Sequence, residues 1–83
     1  PNPFNPTTRI DFELEKAGSV DLSVYDVSGR LVANLFSGHL GEGAHEVTWN
    51  GKTISGATAA TGVYLYVLKT ETGMDSKRMV LLR

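Results

Sequence analysis

Cysteine is absent from the 83 residues. The disulfides that often offset the thin core of a small secreted domain are therefore excluded, as are zinc sites built on thiolates. A strong charge of either sign is missing too. The formal net charge of −1 argues against a nucleic-acid partner, which requires a basic face to displace counterions from phosphates. No apolar run approaches the roughly 20 residues of a membrane helix, and nothing at the start reads as a signal peptide. The chain is thus expected not to span a membrane, and any export signal to lie upstream or in the folded domain. Helical periodicity is lacking throughout. At this length one domain is expected, opening on Pro1-Asn2-Pro3 like the cut edge of something larger.

What the sequence does contain is a period of two between turn residues. Ile10, Phe12 and Leu14 alternate with Arg9, Asp11, Glu13 and Glu15, the pattern of a half-buried strand. Val20, Leu22 and Val24 repeat it after Ala17-Gly18, which predicts an antiparallel hairpin between the two. Asp26-Val27-Ser28-Gly29 is the next turn, with Gly29 free to take positive φ and Asp26 able to cap its own backbone. Residues 31–36 form a strand whose phase stays open: Leu31, Ala33 and Leu35 could face inward, or Val32 and Leu35 could share a face through a bulge. Residues 37–43 hold three glycines and read as a flexible loop.

His45, Val47 and Trp49 then share one strand face, and Trp49, the sole tryptophan, should form a large part of the core. Residues 50–62 are small and polar, a connection long enough to cross between sheets. Residues 63–68 are apolar or aromatic on both faces, the mark of a central strand. Glu71-Thr72-Gly73 turns back into a last strand over residues 77–82. The fold expected is all-β: an immunoglobulin- or fibronectin-III-like antiparallel sandwich of about six to seven strands. Residues 9–83 would form that single sandwich, behind an extended proline-rich linker over residues 1–8.

The residues offer little for catalysis. A nucleophile needs an oriented base. Of the two histidines, His39 falls in the glycine-rich stretch and His45 on the face of Trp49. Asp11, Glu13 and Glu15 read as a solvated strand face, without the Asx and glycine pattern of a calcium loop. Gly41-Glu42-Gly43 lacks the later glycine and helix of a phosphate cradle. Trp49, Tyr64 and Tyr66 suggest a carbohydrate platform, yet two tyrosines sharing the face of a central strand read first as core. No enzyme, cofactor or metal is expected; the chain points to structure, adhesion or addressing.

Several stretches then resemble a known family. Pro1-Asn2-Pro3-Phe4-Asn5-Pro6-Thr7-Thr8 looks like the start of the C-terminal sorting domains of type IX secretion cargo. Val24-Tyr25-Asp26-Val27-Ser28-Gly29-Arg30, His45-Glu46-Val47-Thr48-Trp49-Asn50-Gly51 and Thr61-Gly62-Val63-Tyr64-Leu65-Tyr66 are similar to it as well. So is the close, Lys77-Arg78-Met79-Val80-Leu81-Leu82-Arg83. A related immunoglobulin-like domain of the flagellar hook-capping protein shares much of this pattern, and the ending at Arg83 favours the sorting domain.

That resemblance implies a module that directs an extracellular bacterial protein to the surface of a Gram-negative cell through periplasm and outer membrane. Its partners would be the outer-membrane secretion machinery and an upstream passenger of the same precursor. A terminal strand has an unpaired edge, so Lys77, Arg78, Met79, Val80, Leu81, Leu82 and Arg83 are the expected address. Pro1, Asn2, Pro3, Phe4, Asn5 and Pro6 would be linker or strand-pairing segment. The alternative is an extracellular assembly or adhesion module that self-associates through edge strands into a fibre, or binds carbohydrate.

Overall fold

The computed structural model describes residues 7–82, so Pro1, Asn2, Pro3, Phe4, Asn5, Pro6 and Arg83 lie outside the described residues. Six strands run in order: β1 (Thr8–Leu14), β2 (Gly18–Asp26), β3 (Leu31–Leu40), β4 (Gly43–Trp49), β5 (Gly62–Thr70) and β6 (Gly73–Leu81). They form a two-stranded sheet, β1-β4, facing a four-stranded sheet in the order β3-β2-β5-β6. Every pairing is antiparallel. This is the all-β, immunoglobulin-like sandwich that the alternation implies, at six strands.

The side-chain period places the core. Ile10 and Leu14 from one sheet and Val20, Leu22 and Val24 from the other are all at most 6% exposed. Trp49, at 1% exposure, closes one end of the sandwich with Tyr64, Ala33, Ala59 and Leu81. Its ring stands edge-on to Tyr64, with centroids 5.2 Å apart.

Three expectations change. The hairpin between β1 and β2 does not form. β1 pairs instead with β4, from Thr8 opposite Trp49 to Leu14 opposite Gly43, and residues 15–17 carry the chain across to the other sheet. A hairpin would set the apolar faces of β1 and β2 side by side in one layer. Crossing over lets them cover each other, which removes both from water.

The glycine-rich stretch 37–43 is not a loop either. β3 continues through Leu40, with Ser37, Gly38 and His39 opposite Asp21, Val20 and Ser19. The hydrogen bonds to β2 supply the order that glycines alone withhold. β6 likewise begins at Gly73 rather than at residue 77. The phase of β3 is settled by two bulges. The register skips Leu35 between Leu22 and Ser23, and Val32 between Val24 and Tyr25. Val32 and Leu35 both pack against the core, while Leu31 is exposed.

The long connection crosses between the sheets as its length implies, and it is built rather than slack. Trp49 Nε1 donates to the Lys52 carbonyl at 2.9 Å, Ala59 N to the Gly51 carbonyl at 2.8 Å and Ile54 N to Val32 at 2.8 Å. The Tyr64 hydroxyl donates to the Ala60 carbonyl at 2.6 Å.

Candidate docking surface

Of the expected address, Lys77, Arg78, Met79, Val80 and Leu81 fall on β6, an edge strand of the four-stranded sheet, Leu82 follows it, and Arg83 lies outside the described residues. The pleat divides it. Tyr64 and Tyr66 face the core, so their partners Met79 and Lys77 lie on the inner face; Arg78 and Val80, opposite Leu65 and Val63, lie on the outer one. Leu81 is 1% exposed and Met79 packs against the core cluster. Those two anchor the strand to the core, Leu81 fully and the half-buried Met79 in part. Lys77, Arg78, Val80 and Leu82 are exposed. The two edges of this sheet differ: β3 carries two bulges, one of which receives the amide of Ile54. Among the described residues β6 runs without a bulge.

The outer face of the sheet has a polar half and an apolar half. On the polar half, Asn34 Nδ2 donates to Asp21 Oδ1 at 3.0 Å and to Ser23 Oγ at 2.9 Å. Ser23 Oγ donates to Asp21 Oδ2 at 3.1 Å. This satisfies Ser23, which is only 4% exposed. Toward the other end the rows become apolar. Leu31, Tyr25 and Leu65 lie side by side across β3, β2 and β5, followed by Arg78 on β6. Val63 and Val80 form the next row. The sequence held this signal, since residues 63–68 are apolar on both faces. Which residues share the outer half-face depended on strand order.

The remaining candidates resolve into structure. Asp26 Oδ1 accepts from Ser28 Oγ (2.6 Å), Ser28 N (2.9 Å) and Arg30 N (3.1 Å). The Ser28 hydroxyl first, then the Arg30 amide, draw its pKa from 3.8 down to about 2, against a smaller rise from desolvation. His45 stacks on Phe12 at 5.6 Å, and its Nε2 donates to the Gly41 carbonyl at 2.7 Å. Asp11, Glu13 and Glu15 are exposed as expected. Trp49 and Tyr64 are buried, so they offer no platform for a sugar.

A cleft of about 860 Å³ opens between the β1–β2 crossing and the β5–β6 turn, with Glu13, Glu15, Glu42, Glu71 and Asp75 on its lining. Of these, Glu71 accepts the Ser19 amide at 3.0 Å. Among the described residues no three His, Asp or Glu side chains are placed to hold a metal ion.

Known proteins place this arrangement. The family model of the FlgD Ig-like domain matches residues 2–74. The "Basal-body rod modification protein FlgD" of Salmonella typhimurium and that of Salmonella typhi are each 35% identical over 68 residues. Those matches cover 81% of this chain and 29% of the relatives, so the chain spans less than a third of their length. The crystal structure of FlgD from P. aeruginosa superposes with a TM-score of 0.73 at 24% identity, over 90% of this chain and 62% of that one. It shows the same fold.

These matches correct the expected function. The type IX sorting reading gives way to its named relative, the hook-capping immunoglobulin-like domain. With it go the outer-membrane secretion machinery and the passenger as partners, self-association through edge strands, and delivery to the cell surface through periplasm and outer membrane. The alternatives of a surface fibre and of carbohydrate binding go too. The physical reason lies in the shared motifs. Val24 to Arg30 builds the Asp26 turn, His45 to Gly51 seats Trp49, and Thr61 to Tyr66 seats Tyr64. All three stretches specify the sandwich, and none specifies a destination.

Proposed function

The chain belongs to the FlgD Ig-like domain family, and on that premise we propose that it is a non-catalytic structural module of a basal-body rod modification protein. In this reading the sandwich from Thr8 in β1 to Leu81 in β6 acts as one unit. The observation that carries it is the family match over residues 2–74, supported by curated relatives named for rod modification.

The chemistry of the surface agrees with a scaffold. Asp26 is held in a turn, Glu71 on a backbone amide and His45 in a ring stack, and among the described residues the other acids and His39 are not gathered to hold a metal ion. What the molecule presents outward is a rigid sheet face, and the partners of a scaffold are held by such faces.

A domain exchange tests this. A Salmonella strain lacking its own protein is supplied with a chimera carrying this chain in place of the relative's immunoglobulin-like domain. Swimming in soft agar is expected to return, and a variant with the domain deleted is expected to stay non-motile. A soluble chimera at normal level that leaves the cells non-motile, or a deletion that swims, overturns the proposal.

A further inference from the structure

We propose that the apolar half of the outer sheet face — Tyr25, Leu31, Val63, Leu65 and Val80, bounded at the β6 edge by Arg78 — docks a separate assembly partner whose contact surface is apolar with a carboxylate at its margin. An antiparallel sheet with one face on the core normally turns polar side chains outward. β5 departs from that rule: Val63, Leu65 and Val67 face away from the core that Tyr64 and Tyr66 enter. Val80, at 55% exposure, and Leu31, at 43%, extend the stripe to both edges of the sheet. A contiguous apolar area rimmed by polar groups is the usual mark of an interaction site, and here the Asp21–Ser23–Asn34 network forms one rim.

Arg78 selects the occupant. It is exposed, opposite Leu65 and two residues from Val80. Among the described residues no carboxylate lies within ion-pair distance, whereas Arg9 and Arg30 both have one. Covering the stripe takes this guanidinium out of water, which is costly unless a carboxylate meets it. Arginine and tyrosine are also the side chains that most often dominate an interface, and here Tyr25 lies within the stripe while Arg78 ends it at the β6 edge. A second copy docking on the same face about a two-fold sets Arg78 against either its own symmetry mate or the Leu31 end of the stripe, and neither offers a carboxylate from the stripe. An anionic membrane is disfavoured because a single cation at the end of the stripe attracts a lipid surface weakly. A protein surface bearing an Asp or Glu among apolar residues fits best.

The inference rests on the scaffold reading for the existence of a partner, and its test reads a different outcome. A photo-crosslinking amino acid replaces Val80 in the full-length protein inside flagellated cells. The expected result is an adduct with a second protein whose linked peptide carries an Asp or Glu flanked by apolar residues. Arg78→Glu is expected to reduce that adduct at least ten-fold. Lys77→Glu, on the inner face of the same strand, leaves it unchanged, and reversing the partner's acid to Lys restores it to Arg78→Glu. An unchanged thermal melt of the Arg78→Glu protein separates lost docking from lost folding. Adducts to a second copy or to the protein's own chain, no adduct, an adduct indifferent to Arg78→Glu, or sedimentation of the protein with anionic phospholipid vesicles each overturn the inference. If the domain exchange restores swimming while this test fails, only the docking face is wrong.

Discussion

At the scale of single residues, several polar side chains of the motifs hold turns or loops in place. Tyr64 is the clearest. Its ring packs on Trp49 while its hydroxyl reaches the Ala60 carbonyl at 2.6 Å, tying the long connection to β5. Tyr64→Phe keeps the ring and loses the bond. Ala60 is exposed, so water can replace the donor, and the cost should be about 1 kcal/mol. A lower urea midpoint at unchanged m-value would register it; an unaltered midpoint would show the bond to be idle. The environment of Asp26 moves its titration to about 2 from 3.8. The folded-state pKa lies below the unfolded one, so its contribution is present above the ordinary value and is lost as the pH falls through about 2. Asp26→Asn keeps an acceptor oxygen without the charge. Between about pH 5 and pH 2 the urea midpoint of the parent should fall further than that of this variant. Parallel falls would contradict the assignment.

At the scale of elements, β2 and β3 join through a type of turn that leaves a sequence signature. Gly29 N donates to the Asp26 carbonyl at 2.9 Å, Asp26 N to the Arg30 carbonyl at 3.0 Å, and Gly29 has φ +88°. A β-carbon at Gly29 would meet nothing within 4 Å, so the penalty of a substitution is purely conformational. Gly29→Ala should therefore cost about 1–2 kcal/mol, and Gly29→Asn less, because asparagine tolerates the left-handed region. Thermal melts of the pair check the order; equal losses would mean that space, not φ, decides. The bulges of β3 belong at this scale too. The sequence of residues 31–36 fits either inward set, since bulge and regular strand differ only in which partner residues they face. The hydrogen bond from Ile54 to Val32 and the packing of Val32 and Leu35 on the core select the bulged form.

At the scale of the whole molecule, β2 and β5 lie between neighbours while β3 and β6 form the edges of the larger sheet. Opening free energy should follow this order. In native-state hydrogen exchange, the amides of residues 20–24 and 64–68 are expected to exchange slowest, and those of β6 faster, despite the anchoring of Leu81. Uniform protection across β6 in the isolated chain would mean that something already covers that edge. The corrected function is instructive at the same scale. An immunoglobulin-like sandwich with a buried Trp49 serves more than one task, so a match in core and turn residues reports architecture. Where the chain ends is a boundary without physical content and does not choose between two such families. The family match over residues 2–74 does.

The amino-acid sequence by itself determined everything that depends on near neighbours along the chain. Alternation needs only the pleat, so the inward sets Ile10–Leu14, Val20–Val24 and Val47–Trp49 were legible, as were the Asp26 turn and the core role of Trp49. Tertiary structure decided what depends on partners distant in sequence: β1 against β4 rather than β2, order in residues 37–40, the bulges at Val32 and Leu35, and the division of β6 into anchoring and exposed faces. The outer stripe that ends at Arg78 is of the second kind. A side chain's face follows from its own strand, but its neighbours across the sheet follow from hydrogen bonds between strands, which local sequence does not encode.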